Sequence, residues 1–325
     1  MPSQAYFKNL RFTTVRQGCD PVILVINGFL SASEKDVTDW LSITKQLYPE
    51  NQVVHVQWQA GSVKEMVLAD GLTGLGKEVL STTARNLFKG EIVSSLMSVG
   101  AIAADKVAGH WKQSMENAQQ AGEQLAEYLD ASFTGKDAIL LGHSLGARVI
   151  YNTLLNLTNT GCVQASYLLG GAVSSEHGDW QQVWEKLPSL TLVNCYSNKD
   201  QVLNWLYRLG TLFGDRPCGL QQLVEDRSNS INIDLSEQVS GHMEYKCTTT
   251  GQYLAWFLNT QVLVSNACHI AQLSQSETLN LTGLFEKSVP PQNNEAAHIS
   301  APVKTETELS LSFIDKLRAE LNLYP

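Results

Sequence analysis

The segment "AILLGHSLGARVIYNTLL", residues 138–155, constrains the fold more than any other part of the chain. It begins as an apolar run typical of a buried strand and ends with the apolar spacing of a helix. Between them, Gly142, Ser144 and Gly146 occupy the first, third and fifth positions of "GHSLG", with His143 beside the serine. Flanking glycines let neighbouring elements approach closely and hold a serine in a strained backbone conformation. The segment therefore predicts a nucleophile elbow, with the Ser144 hydroxyl at a strand-to-helix turn.

The same alternation of strand and helix runs through most of the chain. Predicted strands lie at 21–29, 51–58, 137–143, 165–173 and 190–197, and predicted helices at 33–49, 115–131, 147–157 and 179–187. Strands that alternate with helices predict an α/β fold, in which a mostly parallel twisted sheet carries helices on both faces.

Composition and charge exclude several classes of protein. The 325 residues are 43% hydrophobic, which is enough for one enlarged domain, predicted at 1–265. The net charge of −9 and the lack of a Lys/Arg block argue against a nucleic-acid partner. The six cysteines form no C-x-x-C pair, so we expect buried free thiols and neither a metal site nor a disulfide framework.

Residues 60–112 interrupt the alternation and are predicted to form a helical insertion before the nucleophile strand. The uncharged run Ile92–Ala104 is too short to cross a bilayer, which needs roughly 20 apolar residues. Two interpretations stay open: buried or cap helices that form a lid, and a surface that makes peripheral contact with a membrane. The amino terminus has no apolar run of signal-peptide length, so we expect a cytoplasmic protein, and association with a membrane stays open.

Residues 266–325 are predicted to form a linker followed by an amphipathic helix. "KSVPPQNNEAAHISAPVKTETE" is polar and rich in proline without periodicity, and the final residues recover a helical apolar stripe. We expect this helix to dock on the body of the protein or on a protein partner.

A nucleophilic serine needs a histidine base, which in folds with such an elbow follows an acid in the chain. After Ser144, His177 precedes any suitable acid, and His269 and His298 lie beyond the last predicted helix of the domain. His242, in "VSGHMEY", follows a strand-like segment and can fold back over the sheet edge. It is the predicted base, and a loop histidine without a role is the alternative.

The acid is expected just past the second strand after the elbow. Asp200 follows the strand "LTLVNCYS" and is the predicted acid, ahead of Asp179, Asp226 and Asp234. The alternative role for Asp200 is a cap for the helix that begins at Gln201.

Ester cleavage also needs two hydrogen-bond donors for the developing oxyanion. The backbone N–H of Leu145, directly after the serine, is one candidate. The second is the N–H of Phe29, in the loop "NGFLS" after the first core strand, which Asn27 and Gly28 would shape. A turn without function is the alternative for this loop.

Four stretches together resemble the domain of unknown function 726 family, which includes transmembrane and coiled-coil domain proteins. They are "GHSLGARVIYNTLLNL", "LLGGAV", "LVNCYSNKDQVLNWLYR" and "NIDLSEQVSGHMEY", within roughly residues 110–260. The resemblance implies an α/β-hydrolase fold and supports Ser144, Asp200 and His242 as a catalytic triad. It does not imply a particular substrate.

Two functional hypotheses follow. The first is a serine hydrolase that cleaves carboxylic esters through an acyl-enzyme, of the lipase or phospholipase kind, acting on a small-molecule or lipid ester without a cofactor. The second is a catalytically idle binding or trafficking adaptor that keeps the elbow for structural reasons.

Overall fold

The computed structural model describes residues 4–32, 35–62, 101–133, 138–211, 216–224 and 229–260. All of them lie in the first of two compact units, Met1–Leu263, and the second unit is Val264–Pro325. The linker and helix predicted for 266–325 lie outside the described residues, as does most of the predicted insertion at 60–112. Those expectations stay predictions.

Eight strands form a single sheet. They are β1 (Gln4–Phe7), β2 (Leu10–Arg16), β3 (Cys19–Ile26), β4 (Asn51–Gln57), β5 (Ala138–His143), β6 (Val163–Leu169), β7 (Thr191–Tyr196) and β8 (Ser230–Asp234). Their order in the sheet is β1-β2-β4-β3-β5-β6-β7-β8. The strands from β4 to β8 along this order pair in parallel, and β1 and β2 add an antiparallel edge.

Helices connect the parallel strands. They are α1 (Thr38–Leu47), α2 (Ala101–Ser132), α3 (Leu145–Asn156), α4 (His177–Lys186) and α5 (Gln201–Thr211), followed by the short 3₁₀ helix Glu244–Lys246 and a helix at 248–260. The strand-to-helix turn predicted at Ser144 is confirmed, because β5 ends at His143 and α3 begins at Leu145. This architecture is an α/β-hydrolase fold, as the resemblance implied.

Burial explains why the central strands read as continuous apolar runs. Every residue of β5 is buried, since helices cover both faces of a parallel sheet. One core contains Leu24 and Ile26 together with apolar residues of α2 to α5, and the other contains Ile23 and Val25 together with residues of α1 and the 248–260 helix. The prediction of helices on both faces is therefore confirmed.

The sequence did not reveal β1 and β2, which form the antiparallel edge. β2 alternates between buried and partly exposed residues because only one of its faces is covered. The sequence of β2, "LRFTTVR", is short and mixes charged, polar and apolar residues, and no recognisable turn motif precedes it.

The helix α2 begins earlier than expected. It was predicted at 115–131 but starts at Ala101, so residues 101–112 of the predicted insertion belong to a helix that packs on α3. Trp111 in this part is fully buried, and its ring meets that of Phe29 edge-on at 5.2 Å. Within the described ranges, no helix combines the length and hydropathy needed to cross a bilayer.

The cysteines of the described residues are all free, as expected. Cys162, Cys195 and Cys218 are buried, whereas Cys19 is exposed at the start of β3 and Cys247 is partly exposed. The expectation of buried thiols was therefore wrong for Cys19, because the first residues of β3 lie at the rim of the sheet. It was also wrong for Cys247, which is only partly buried.

Gly146 lets α3 pack directly on the end of β3. A Cβ atom at this position would lie 2.2 Å from the carbonyl oxygen of Ile26. We therefore expect Gly146→Ala to lower the free energy of unfolding by about 1–3 kcal/mol or more, because backbone must move to relieve the overlap. Thermal and urea unfolding measure the change.

Gly109→Ala is the matched control. Gly109 is an exposed residue within α2, and among the described residues no atom outside the backbone of its own helix lies within 4 Å of its added Cβ. Alanine there is expected to stabilise by roughly 0.5–1 kcal/mol, since glycine is a poor helix former. Equal effects of the two substitutions would contradict the packing argument.

Candidate active site

Ser144 has the strained backbone that the sequence predicted. Its φ of 58° and ψ of −121° are unusual for a residue with a side chain. Its N–H donates to the Leu169 carbonyl at 3.1 Å, and its carbonyl accepts from the N–H of Ala172 at 3.0 Å. These bonds connect the turn to the end of β6, so the surrounding sheet holds the strained conformation in place.

Close backbone packing surrounds the serine. A Cβ on Gly142 would lie 2.5 Å from the Gly146 carbonyl oxygen, and a Cβ on Gly28 would lie 2.6 Å from the Cβ of Ser144. The loop after β3 therefore sits directly against the elbow, as expected for a loop that supplies an oxyanion donor. Ser144 itself is only 2% exposed.

Asp200 and His242 form a buried hydrogen-bonded pair. The Oδ2 atom of Asp200 lies 2.7 Å from Nδ1 of His242, and the Asp200 side chain is fully buried. A carboxylate accepts, so Nδ1 of the imidazole donates, and in the neutral ring Nε2 then keeps a lone pair. This is the tautomer that a general base needs.

Asp200 also caps α5. Its Oδ1 atom accepts from the N–H of Leu203 at 3.0 Å, while Oδ2 binds the imidazole. The two interpretations weighed for Asp200 therefore do not exclude each other, because each carboxylate oxygen serves one of them. The cap fixes the carboxylate and so fixes the direction of its bond to His242.

The competing acids and bases have different surroundings or lie outside the described part of the chain. Oδ1 of Asp234 accepts from the N–H and the hydroxyl of Ser236, at 2.9 and 2.5 Å, in a local turn. His177 and Asp179 lie in the first turn of α4, which follows β6. Asp226, His269 and His298 lie outside the described residues.

His143 supports the loop that carries His242. Its Nε2 atom lies 2.7 Å from the backbone oxygen of His242, and the two rings are 4.7 Å apart. A carbonyl oxygen only accepts, so Nε2 of His143 carries a proton. Burial, and then the proximity of His242 and Lys246, lowers the pKa of His143 well below its usual range. The sequence placed this residue in the elbow without assigning it this role.

His143 directly precedes Ser144 in the chain and binds the backbone of His242. Ser144 and His242 therefore lie at the same edge of the sheet. Among the described residues, no hydrogen bond joins the Ser144 hydroxyl to the imidazole of His242. Catalytic hydrogen bonds are often long without substrate and shorten in the complex. The assignment of these residues to one triad stays a prediction.

The two predicted oxyanion donors have unused N–H groups. The amides of Phe29 and Leu145 donate to no acceptor within the described ranges. The loop around Phe29 is held in place, because the N–H of Leu30 donates to the Ala60 carbonyl at 2.8 Å and that of Ala32 to the Gly61 carbonyl at 3.0 Å. Leu30 has a positive φ of 63°, which turns the chain sharply after Phe29.

Sequence reasoning named Asn27 as part of this loop but missed the buried residues that bind its side chain. The side-chain oxygen of Asn27 accepts hydrogen bonds from the indole of Trp40 and the ammonium of Lys246, at 2.6 and 2.9 Å. Lys246 follows "GHMEY" directly, but no local pattern indicates that it is buried. In the described part of the chain, no group of three or more His, Cys, Asp or Glu side chains is arranged to hold a metal ion.

Two buried histidines predict a loss of stability in acid. Burial lowers the pKa of His55 from 6.5 to about 4, and the pKa of His143 is also well below 6.5. The unfolded chain therefore binds more protons than the folded chain below pH 6.5. Stability from these residues is complete above about pH 6.5 and is lost as the pH falls, by at most about 1.4 kcal/mol per histidine per pH unit. The loss stops below the folded pKa.

Urea unfolding of His143→Gln at pH 7, 6 and 5 measures this contribution. Glutamine keeps a donor for the His242 carbonyl but does not titrate. The slope of the free energy of unfolding against pH should therefore be smaller than in the wild type, by the equivalent of up to one bound proton. His55→Gln should reduce it in the same way. Identical pH slopes in all three proteins would show that neither imidazole is held neutral.

Proteins of several eukaryotes are similar in sequence to this chain. A membrane protein of Caenorhabditis elegans is 30% identical to this chain over 237 residues, which are 68% of this chain and 37% of that protein. The "Transmembrane and coiled-coil domain-containing protein STS1" of Oryza sativa is 29% identical over 70% of this chain and 35% of its own length. The "Probable lipase MIL1" of Saccharomyces cerevisiae is 26% identical over 69% of this chain and 21% of its own length. The region that matches this chain thus makes up 37%, 35% and 21% of the length of these three relatives.

Solved structures resemble the fold at low sequence identity. The "Alpha/beta hydrolase domain-containing protein 10 from mouse" is 12% identical and has a TM-score of 0.40, with 81% of this chain and 98% of that chain covered. The esterase domain of a Rhodothermus marinus protein is 11% identical, with a TM-score of 0.38 and coverage of 79% and 97%.

A sequence profile identifies the family of this chain. The profile described as "Protein of unknown function (DUF726)" matches residues 3–254, a range that contains the elbow and the loops of Phe29, Asp200 and His242. This chain, in agreement with the resemblance in its motifs, belongs to the DUF726 family.

Proposed function

We propose that this protein is a serine hydrolase that cleaves carboxylic esters, of the lipase or phospholipase kind. Ser144 is the nucleophile, His242 the general base and Asp200 the residue that orients the base. The observation that carries the proposal is the buried 2.7 Å bond between Asp200 and Nδ1 of His242. This bond leaves Nε2 as the proton acceptor. The backbone of His242 is bonded to His143, which directly precedes the strained Ser144 in the chain.

The reaction proceeds in two halves. Nε2 of His242 takes the proton of the Ser144 hydroxyl as Oγ attacks the ester carbonyl carbon. The tetrahedral intermediate collapses, the bond to the alcohol oxygen breaks, and His242 returns its proton to the departing alkoxide. His242 then deprotonates a water molecule that attacks the acyl-enzyme, and the carboxylic acid leaves as Ser144 regains its proton.

The amides of Phe29 and Leu145 stabilise the oxyanion in both halves. Both N–H groups lie next to the serine in space or in sequence, and neither has an acceptor among the described residues. A donor of this kind typically lowers the activation barrier by about 2.7–4 kcal/mol.

A lipid ester is the proposed substrate class. One relative carries the name "Probable lipase MIL1", and the other two compared here carry membrane-protein names. A cleft of about 520 Å³ lies beside the Phe29 loop, lined in part by Ala32, Gly61 and Ser114. Its size suits a ligand, since binding clefts measure about 300–1,000 Å³. Its other described lining residues are mostly polar, and none of the three predicted triad residues lines it.

We also propose that residues 60–112 form a lid or make peripheral contact with a membrane, and that the carboxy-terminal helix binds a protein partner. These residues lie mostly outside the described ranges. A cytoplasmic location with membrane association is likewise proposed.

Labelling by a fluorophosphonate probe tests the nucleophile. The wild type should be labelled and should hydrolyse p-nitrophenyl esters, whereas Ser144→Ala should show neither activity because it lacks the attacking oxygen. Ser42→Ala, on the surface of α1, is the matched control and should behave as the wild type.

A different result would favour the second hypothesis. If the folded wild type resists the probe and hydrolyses no p-nitrophenyl ester of any chain length, the chain is a catalytically idle adaptor. The missing hydrogen bond between Ser144 and His242 is the observation that favours this alternative. Equal labelling of the wild type and Ser144→Ala would place the reactive group elsewhere.

Two substitutions at Phe29 test the oxyanion donor. Phe29→Pro removes the backbone N–H and should lower kcat roughly 100- to 1,000-fold. Phe29→Ala keeps the N–H, so it should retain much more activity even though it loses the contact with Trp111. Near-UV circular dichroism checks that both variants are folded. A folded Phe29→Pro as active as Phe29→Ala would exclude this amide as a donor.

A further inference from the structure

Lys246 places a buried ammonium between the loops of the proposed active site. Its residue is only 2% exposed, at the end of the 3₁₀ helix Glu244–Lys246. Nζ pairs with the carboxylate of Asp39, donates to Oδ1 of Asn27 at 2.9 Å, and lies 5.0 Å from the centre of the Trp40 ring. Lysines are almost never buried without such partners. All of these partners are far from Lys246 in sequence.

Asn27 is the residue through which Lys246 acts. Trp40 Nε1 and Lys246 Nζ can only donate, so they identify the Asn27 atom between them as Oδ1. Nδ2 of Asn27 then faces Nε2 of His55 at 3.4 Å. Burial keeps this imidazole neutral, because its pKa falls to about 4, so Nε2 is able to accept. The backbone oxygen of Asn27 accepts from Trp58 Nε1 at 2.8 Å.

The Asn27 side chain is therefore held from three directions, directly before the proposed oxyanion donor. Asn27 precedes Gly28, whose backbone packs on Ser144, and Gly28 precedes Phe29. A shift of Asn27 would move the Phe29 amide relative to the Ser144 hydroxyl.

Lys246 also belongs to the segment that carries His242. The Glu244 carboxylate accepts from the N–H of Ser240 and of Gly241, at 2.7 and 3.2 Å, which closes this segment into a compact loop. The hydroxyl of Tyr245 donates to the Gly219 carbonyl at 3.2 Å. A displacement of Lys246 is therefore transmitted to the backbone near His242. The ammonium also acts electrostatically near the elbow, since it contributes, after burial and His242, to the lowered pKa of His143.

We infer that Lys246 is a positioning residue for the proposed reaction: its ammonium, bound between Asp39 and Asn27, holds the Phe29 amide and the His242 loop in the relative positions that ester cleavage requires. The inference rests on the proposed function. The other role for a buried ion pair is structural, in which case its loss would change stability and leave the chemistry of the folded fraction unchanged.

Kinetics of Lys246→Met and Asp39→Asn separate the two roles. Methionine keeps the apolar length of lysine without its charge, and Asp39→Asn removes the charged partner at a carboxylate that is 35% exposed. A misplacement of about 1 Å in an active site can cost roughly 100-fold in rate. We expect kcat for a p-nitrophenyl ester to fall about 10- to 100-fold in Lys246→Met and less in Asp39→Asn, with KM within about 2-fold of the wild type.

A transition-state analogue supplies a signature that stability alone does not change. A trifluoromethyl ketone forms a hemiketal oxyanion with the serine, so its Ki should rise by the same factor by which kcat/KM falls. The corresponding methyl ketone, which stays largely unreacted, should bind equally well to all variants. Lys186→Met is the matched control. Lys186 lies on α4, is partly buried, and donates to the backbone carbonyl of Leu155. The kinetics of this variant should equal those of the wild type.

The outcomes are distinguishable. If the variants are folded and keep the wild-type kcat/KM and Ki within about 3-fold, Lys246 is structural and the inference is wrong. If Lys246→Met does not fold, Asp39→Asn decides by the same criteria. A wild type that is neither labelled nor active would overturn the proposed function and this inference with it, whereas an active wild type with unaffected variants would overturn this inference alone.

Discussion

The close approach of three backbone segments at Ser144 is the constraint on which the rest of the site depends. The loop after β3, the turn between β5 and α3, and the segment after β6 meet there, and glycines at 28, 142 and 146 leave no room for side chains between them. The strained φ and ψ of Ser144 persist because hydrogen bonds to Leu169 and Ala172 surround the turn. A looser contact at this point would release the serine and displace the neighbouring Phe29 amide as well.

The buried polar groups of the candidate site hold its loops in place, and the proposed reaction would give several of them a chemical role as well. Asp200 caps α5 with one oxygen and orients His242 with the other. His143 is neutral because it is buried, and in that form it donates to the backbone of His242. Lys246 joins the histidine loop to Asn27. Because each group is buried and already bonded, little reorganisation would be needed when charge develops on a substrate, which is the main source of electrostatic catalysis.

Prediction from the sequence succeeded where a local pattern has one physical meaning. The strand-to-helix turn at Ser144 and the apolar central strands were identified, because a parallel strand buried on both faces must be apolar throughout. β2 was missed, since a half-covered edge strand has a mixed composition. The early start of α2 was missed because alanine, glycine and serine between 92 and 104 suit a cap, a membrane surface and a packed helix equally well.

The sequence by itself determined the order of strands and helices from β3 to β7, the strand-to-helix turn at Ser144, and the choice of Ser144, Asp200 and His242 as candidates, because spacing and chain order carry that information. Only the tertiary structure decided that Asp200 binds Nδ1 of His242 while capping a helix, that His143 supports the same loop, and that Lys246 reaches Asn27, 219 residues away along the chain. The reason is that burial and hydrogen-bond geometry depend on which segments the sheet brings together. The residues next to a lysine in sequence do not indicate which distant side chains will bury and bind its ammonium.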